Sequence, residues 1–302
     1  RLPMQSQYTG MMLVLASAAG FATLPIFIKL AYAAGANTVT ILTTRFILAA
    51  ACLWLILHCC GISAAVNKRT LIRLSLLGAL GYGAMSTAFA SSLTYLPASL
   101  ASLLLYLYPV IVSILAIVLG QDRLSWCKAG ALAISCSGLL LVLGVTFEDI
   151  SSLGLAWGMT ANITYSLYIL AGNILLKEVE PIVVTTYVCT SAAVLFSCVA
   201  ISTGEFVYTL PLSGWLALIG IVIFATIVGI VGFFAGMTRT GPANASIISC
   251  IEPAITVVMS MFLLGESITP LQAGGGFLLL LGVIMLQRSG RTKGSDLASD
   301  PG

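Results

Sequence analysis

The chain has 302 residues, of which 59% are hydrophobic and 8% are charged, with a formal net charge of +3 at pH 7. A soluble domain has about a quarter of its residues charged, so this composition excludes a water-soluble fold. The apolar residues come in long blocks of about 20 residues, the length that an α-helix needs to cross the hydrocarbon core. The composition therefore predicts an all-α polytopic membrane protein, surrounded by the lipid bilayer.

Ten apolar blocks follow one another, separated by short polar connections such as 67–69 and 240–242. The first block is as long as the others, so we expect it to remain as a helix rather than to be cleaved as a signal peptide. The polar tail 290–302 is predicted to be disordered. The predicted helices are 11–34, 38–60, 71–93, 97–120, 126–145, 151–177, 181–203, 212–237, 242–264 and 269–287.

The basic residues are distributed unevenly between the two sets of connections. Lys29 and Arg45 fall inside predicted helices, and the rest of the 13 Lys and Arg residues fall on the side of the two termini. By the positive-inside rule, this distribution predicts that both termini are cytoplasmic. The basic residues are not interleaved with aromatic residues in a patch, so nucleic acid is not an expected partner.

The two halves of the chain resemble each other at an offset of 144 residues. The matched pairs include Ala101 with Ala245, Pro109 with Pro253, Asp122 with Glu266, Gly130 with Gly274 and Gly138 with Gly282. Five helices per half is an odd number, so the second half should cross the membrane in the opposite sense. The pattern predicts two inverted five-helix repeats, 1–147 and 148–289, around a central cavity, which is the basis of alternating access.

Short segments at matched positions of the two halves are similar to a known family. They are LPASLAS at 96–102 with Tyr108-Pro109, GPANAS at 241–246 with Glu252-Pro253, and GESIT at 265–269. These segments resemble the repeated helix of the EamA family, in the drug/metabolite transporter superfamily, and the resemblance covers nearly the whole chain. It implies a ten-helix bundle in a bacterial inner membrane that moves amino acids, other metabolites or drugs.

Three charged side chains lie well inside predicted helices rather than near their ends, and at that depth each costs about 2.5–3.5 kcal/mol on insertion scales. Glu252 is either a proton-coupling carboxyl, a docking group for a substrate amine, or a structural partner of Arg45 or Lys29. Arg45 either binds a substrate carboxylate or phosphate or belongs to a structural ion pair. Lys29 either contacts substrate or extends to the outer lipid headgroups.

Three prolines, Pro25, Pro109 and Pro253, stand in the middle of predicted helices. Proline lacks an N–H and its ring clashes with the preceding turn, so each should kink its helix. The kinked helices are therefore candidates for cavity walls and gates, and the alternative is a fixed kink needed for packing.

Polar and aromatic side chains on other helices could bind a metabolite by hydrogen bonds and stacking. The alternative for any one tyrosine is packing or a position at the membrane surface. Besides Glu252, Arg45 and Lys29, the candidate cavity residues are Tyr82, Ser86, Tyr106, Tyr108, Asn162, Tyr165, Ser166 and Ser249.

An intramembrane enzyme would need a nucleophile with a base, paired carboxylates or a metal cluster at membrane depth. The four aspartates lie in predicted loops or the tail, so no catalytic residue, metal or cofactor is expected. The predicted function is secondary transport of a small metabolite, such as an amino acid, by an exporter or exchanger with the proton as candidate coupling ion. A channel or a non-transporting helper subunit is the alternative.

Overall fold

The computed structural model describes residues 4–118, 125–143, 150–176, 178–240, 245 and 248–296, and within these ranges all regular secondary structure is helical. The α-helices are α1 (Met4–Ala22), α2 (Leu24–Ala33), α3 (Thr38–Cys59), α4 (Lys68–Leu76), α5 (Gly83–Tyr95), α6 (Ala98–Leu105), α7 (Tyr108–Val118), α8 (Trp126–Leu143), α9 (Ser152–Leu175), α10 (Pro181–Thr203), α11 (Leu212–Gly220), α12 (Gly232–Thr240), α13 (Glu252–Leu263) and α14 (Pro270–Asp296). Two π-helical segments, π1 (Leu77–Tyr82) and π2 (Ile221–Val231), join α4 to α5 and α11 to α12.

Several of these helices are long and apolar enough to cross a bilayer. Five stretches in the described residues have the required length and composition, namely Tyr8–Ala33, Thr38–Cys59, Ala98–Leu115, Pro181–Thr203 and Leu212–Met237. Shorter apolar helices are Trp126–Leu141, Glu252–Leu263 and Pro270–Met285. These segments confirm an all-helical, polytopic membrane protein, whereas the count of ten spans stays a prediction.

Several helix ends are fixed by local sequence signals. The side chains of Asn37 and Asn67 accept hydrogen bonds from the N–H groups of Thr40 and Thr70, each at 2.8 Å, at the starts of α3 and α4. Such caps satisfy N–H groups that the first turn of a helix leaves without a partner. Gly204 ends α10 with φ of 67°, a left-handed conformation that glycine adopts at little cost.

The last helix is longer than its predicted end at residue 287. It continues to Asp296, into the segment that the sequence predicts to be a disordered tail. Once a helix is formed, each further residue adds one hydrogen bond without a new nucleation step, so polar residues such as Arg288 and Lys293 can prolong it.

The helical structure is interrupted just before each of the three prolines that the sequence predicts to lie in the middle of a helix. Pro25, Pro109 and Pro253 are each the second residue of a new helix, α2, α7 and α13. The residue two positions before each proline bonds to the carbonyl three residues back, as in Thr23 to Gly20 and Leu107 to Leu104. This tighter turn separates the two helices at the point where the proline removes a helical hydrogen bond.

Helices of the first half pack mainly against helices of the second half. The most extensive contacts join α8 with α14, α3 with α10, α5 with α9, and α1 with α12. Phe46 of α3 stacks on Phe196 of α10, with ring centroids 5.6 Å apart and an interplanar angle of 7°. The apolar core therefore lies between the halves, where it can surround a central space.

Two features repeat at the same offset of 144 residues that relates the sequences of the halves. The π segments begin at Leu77 and Ile221. Gly138 faces the backbone of Leu279, and its match Gly282 faces the backbone of Ser135, so α8 and α14 meet in a reciprocal contact. The contact is close because glycine has no Cβ to separate the two backbones.

Candidate functional site

A cavity of about 290 Å3 lies between the two halves, and residues of both halves line it. It receives side chains from α1, α2, α3, α5, α6, α7, α9, α10, α12 and α13, from both π segments and from the interruptions before Pro109 and Pro253. The lining is Phe21, Leu24, Pro25, Arg45, Tyr82, Met85, Ser86, Phe89, Ser102, Leu105, Tyr106, Tyr108, Tyr165, Tyr168, Thr185, Val188, Cys189, Ile230, Phe233, Ser249, Cys250 and Glu252. A mostly apolar wall with a few polar groups is typical of a small-molecule site.

The carboxyl group of Glu252 is held at the interruption before Pro253. The Tyr106 hydroxyl donates to Glu252 Oε2 at 2.6 Å and also lies 3.1 Å from the carbonyl oxygen of Ser249. Pro253 has no N–H, so it cannot bond to this carbonyl four residues back. The Tyr106 hydroxyl therefore lies within hydrogen-bond distance of two acceptors. One is the Glu252 carboxyl, and the other is the Ser249 carbonyl, which Pro253 leaves without its helical N–H partner.

A phenol has one proton, so Tyr106 can donate to only one of these two acceptors at a time. If the Glu252 carboxyl is protonated, it can donate to the Tyr106 oxygen while Tyr106 donates to the Ser249 carbonyl. If the carboxyl is ionised, the Tyr106 hydroxyl donates to Glu252, and the Ser249 carbonyl no longer accepts a hydrogen bond from Tyr106. The arrangement thus accommodates both protonation states, with a different hydrogen-bond pattern in each.

Arg45 carries the positive charge of the cavity. Its side chain is only 7% exposed, and its guanidinium donates one long hydrogen bond of 3.4 Å to the Tyr82 hydroxyl. It also lies 5.2 Å from the centroid of the Phe46 ring. In the described part of the chain Arg45 has no ion-pair partner. A guanidinium has five N–H donors and a buried unpaired charge is costly, so the geometry suits a bound anionic group.

Tyrosine rings form a continuous wall between Arg45 and Glu252. Starting at the ring of Tyr82 beside Arg45, successive ring centroids lie 5.3 Å apart to Tyr168, 5.9 Å to Tyr165, 4.7 Å to Tyr108 and 6.1 Å to Tyr106, which bonds Glu252. Aromatic pairs at these distances attract each other favourably. The wall holds the cationic and the carboxyl group at its two ends.

Ser86 contributes a polar group that the protein itself does not use. Its side chain is 2% exposed and lines the cavity, and its Oγ has no hydrogen-bond partner among the described residues. A buried hydroxyl without a partner costs free energy, which a ligand or water in the cavity can recover.

Five of the predicted site residues lie outside the cavity lining. Asn162 donates to the Leu104 carbonyl at 2.6 Å and so supports the interrupted backbone between α6 and α7, whereas Ser166 donates to the Asn162 carbonyl at 2.8 Å within α9 and lies 3.4 Å from the Tyr108 carbonyl oxygen. Pro109 and Pro253 lie next to lining residues. Lys29 lies at one end of the bundle, 3.9 Å from Glu266.

Glu266 joins the two halves at that end of the bundle. Its carboxylate accepts hydrogen bonds from the Ala98 N–H at 2.6 Å, the Ser99 N–H at 3.2 Å and the Ser99 hydroxyl at 2.7 Å. These donors form the N-terminus of α6, which favours a negative charge. At the same end, the Asn37 side chain donates to the Glu205 carbonyl at 2.6 Å and the Val207 N–H to the Thr40 hydroxyl at 2.9 Å.

Several cavity residues were not predicted from the sequence. Tyr168 lies one helical turn after Tyr165, and Thr185 matches Thr43 at an offset of 142 residues, so spacing and the repeat could have identified them. The repeat indicates Glu266 because it matches Asp122 of the first half. Asp122 itself falls in 119–124, outside the described residues. Among the described residues, no group of three or more His, Cys, Asp or Glu side chains is placed to hold a metal ion.

Comparisons with known proteins agree with this architecture. The model of the EamA-like transporter family matches the chain twice, at residues 8–144 and 152–288. A solved crystal structure superposes with a TM-score of 0.68 and covers 94% of this chain and 98% of its own, and at 17% identity this likeness concerns the fold alone.

Curated relatives include named transporters. The uncharacterized transporter YyaM of Bacillus subtilis is 27% identical over 248 residues, which are 80% of this chain and 81% of the relative. A probable terminal-alkyne amino-acid exporter of Streptantibioticus cattleyicolor is 26% identical over 240 residues, which are 78% of this chain and 79% of the relative.

Proposed function

Because this chain belongs to the EamA-like transporter family, we propose that it is a secondary transporter that moves an amino acid or a similar zwitterionic metabolite by alternating access. The observation that carries the proposal is the pair of ionisable groups in one cavity, the Arg45 guanidinium and the Glu252 carboxyl. They lie at opposite ends of the tyrosine wall, so the site can hold two opposite charges of a single solute.

The two ends of the cavity differ in what they can bind. The Arg45 guanidinium can hold a carboxylate with two parallel hydrogen bonds, and its single 3.4 Å bond to Tyr82 leaves donors for it. The Glu252 carboxyl can accept from a solute ammonium. Hydrogen bonds to charged groups contribute about 1.5–3 kcal/mol each, so both ends together would favour a zwitterion over a singly charged or neutral analogue.

The contacts that join the halves at one end of the bundle support alternating access. Glu266, Lys29 and the start of α6 join the halves there, and the interruptions before Pro25, Pro109 and Pro253 provide places where the helices can bend. The reciprocal contact of α8 with α14 supports a repeat arrangement of two five-helix units, ten spans in all.

The proton is the proposed coupling ion. Tyr106 accommodates Glu252 with or without a proton, so a substrate ammonium that approaches Glu252 would favour release of that proton. One solute molecule would then be transported in exchange for one proton. The distribution of Lys and Arg supports an orientation with both termini in the cytoplasm of a bacterial cell.

A relative also supports the substrate class. The Streptantibioticus protein is named as a probable exporter of an amino acid, and it matches most of this chain. Export or exchange of an amino acid is therefore the proposed direction of the activity.

The first test is a thermal-shift screen of the detergent-purified protein with amino acids, their esters and their decarboxylated amines. A ligand that binds only the folded state raises its stability by RT ln(1 + [L]/Kd). We expect stabilisation by one or more amino acids, and much less by the ester or the amine of the same compound. Equal stabilisation by all three, or by none of the amino acids, would overturn the zwitterion site.

A further inference from the structure

A second cavity lies on the outer surface of the bundle. This groove has a volume of about 610 Å3 and is formed between α9 and the α4 and π1 segments. Its lining is Arg73, Leu76, Leu77, Leu80, Gly81, Thr164, Leu167, Tyr168, Ala171, Ile174 and Leu175. Leu80 is 69% exposed and Ile174 is 61% exposed, so the groove faces the surroundings of the bundle rather than its core.

The groove has the length of one membrane leaflet. Its α9 wall runs from Thr164 to Leu175, which is about 16 Å at 1.5 Å per residue. Half of a hydrocarbon core of roughly 30 Å is about 15 Å. Apart from Arg73, Thr164 and Tyr168 the lining is apolar, so its chemistry matches a single acyl chain.

Positive charge is concentrated at one end of the groove. Arg73 lines it, and the exposed Arg69 lies one helical turn earlier on the same face of α4, with Lys68 beside it. Among the described residues that line the groove, none has an acidic side chain. A basic pocket between membrane helices, next to an apolar channel, is complementary to an anionic lipid headgroup.

The wall of the groove is also a wall of the central cavity. Tyr168 lines both, and its ring contacts Tyr82 and Tyr165 of the tyrosine wall. A Cβ on Gly81 would lie 3.3 Å from the Tyr168 ring, so this segment of π1 packs closely on that ring. A molecule in the groove would therefore restrict the ring that lines the substrate cavity.

We propose that this groove binds one anionic phospholipid, with an acyl chain between α9 and π1 and the headgroup phosphate at Arg73. The bound lipid holds Tyr168 in place and so supports the central cavity. Zwitterionic lipids have the same acyl chains but a headgroup without net charge, so they bind more weakly.

The proposal is tested by native mass spectrometry of the full chain with phosphatidylglycerol or phosphatidylcholine. The wild type should retain phosphatidylglycerol in preference. Arg73→Gln should weaken its binding about fivefold, because a basic residue near the surface contributes about 1 kcal/mol. Ala171→Trp should abolish binding by filling the groove. Arg288→Gln, an exposed arginine near the end of α14 and outside the groove, is the matched control and should bind as the wild type does.

Three results would overturn the proposal. The first is unchanged phosphatidylglycerol retention in Arg73→Gln or in a folded Ala171→Trp, and the second is equal retention of phosphatidylcholine by the wild type. The third comes from a thermal-shift measurement: inorganic phosphate that stabilises the wild type as much as phosphatidylglycerol does would assign Arg73 to a free anion instead. Arg73→Gln keeps the test decisive if Ala171→Trp does not fold, because Arg73 is exposed.

Discussion

Glu252 and Tyr106 are the residues where proton coupling can be tested most directly. Glutamine at 252 keeps the size and an acceptor but cannot exchange a proton. We expect Glu252→Gln to abolish uptake driven by a pH gradient and to retain exchange of one solute for another with a raised KM, because the neutral amide still accepts from the solute ammonium but binds it less tightly. Both activities can be measured in the same proteoliposomes with a labelled amino-acid mixture.

The control for this variant is Tyr95→Phe, which removes a hydroxyl from a tyrosine that is 46% exposed and does not line the cavity. It should leave both activities unchanged. Loss of both activities in Glu252→Gln at saturating solute, or of neither, would contradict a coupling role for Glu252.

Arg45 can be tested through the geometry of its side chain. Lysine keeps the charge but offers a single point rather than a planar fork. We expect Arg45→Lys to weaken amino-acid binding about tenfold, the equivalent of about 1.4 kcal/mol, without loss of folding. The affinity is measured by thermal shift, and unchanged affinity would show that Arg45 does not hold the solute carboxylate.

At the scale of elements, the hydrogen bonds that Glu266 accepts from the start of α6 should stabilise this end of the bundle more than the ion pair of Glu266 with Lys29 does. A side chain that caps a helix N-terminus contributes about 1 kcal/mol. The pair with Lys29 is 3.9 Å long and its side chains are 27% and 12% exposed, so it contributes less, about 0–1 kcal/mol. Loss of Glu266 should therefore open this end of the bundle more than loss of Lys29.

The measurement is the rate at which a maleimide modifies Cys189, a cavity residue, in a variant where it is the only cysteine. Glu266→Ala should raise this rate about fivefold, and Lys29→Met should raise it less. Glu205→Gln, an exposed acid at the same end, is the control. A larger effect of Lys29→Met than of Glu266→Ala would contradict this order.

The packing of α8 on α14 gives a second prediction at this scale. A Cβ on Gly138 would lie 2.7 Å from the Gly275 carbonyl, and one on Gly282 would lie 2.7 Å from the Ala131 carbonyl. Backbone atoms cannot move aside as a flexible side chain can. We expect Gly138→Ala and Gly282→Ala each to destabilise the protein by about 1–3 kcal/mol, measured as a lower unfolding temperature in detergent.

The matched controls are Gly130 of α8 and Gly274 of α14, which also match each other at the repeat offset of 144 residues. Nothing lies within 4 Å of a Cβ on Gly130 or Gly274. Alanine there should leave the unfolding temperature unchanged or raise it, because alanine has the higher helix propensity. If all four variants behave alike, the reciprocal contact is not a source of stability.

At the scale of the whole molecule, the sequence predicted those features that depend on local composition. The ends of α3 and α10 lie within one residue of their predicted positions, because apolar length and flanking polar residues define them. The family resemblance was confirmed because it rests on short segments in the right order in both halves.

Features that depend on contacts between distant residues were not predictable in the same way. Glu266 meets Ser99 across 167 residues, and Asn162 meets Leu104 across 58. The π segments have no composition that separates them from the α-helices they join. The sequence indicates that Arg45 and Glu252 carry a free-energy cost inside a membrane. Their positions at the two ends of the tyrosine wall become evident only in the fold.

The central claim is that this protein carries a solute by alternating access, and exchange across a membrane tests it most directly. Proteoliposomes with the purified protein would be loaded with unlabelled amino acids or with buffer, and uptake of a labelled amino-acid mixture would be followed. We predict saturable uptake that is faster with amino acids inside, because a carrier returns more readily when loaded. Three results would contradict the account. They are saturable uptake whose rate does not depend on the internal solute, uptake that does not saturate, as in a channel, and no uptake beyond that of liposomes without protein.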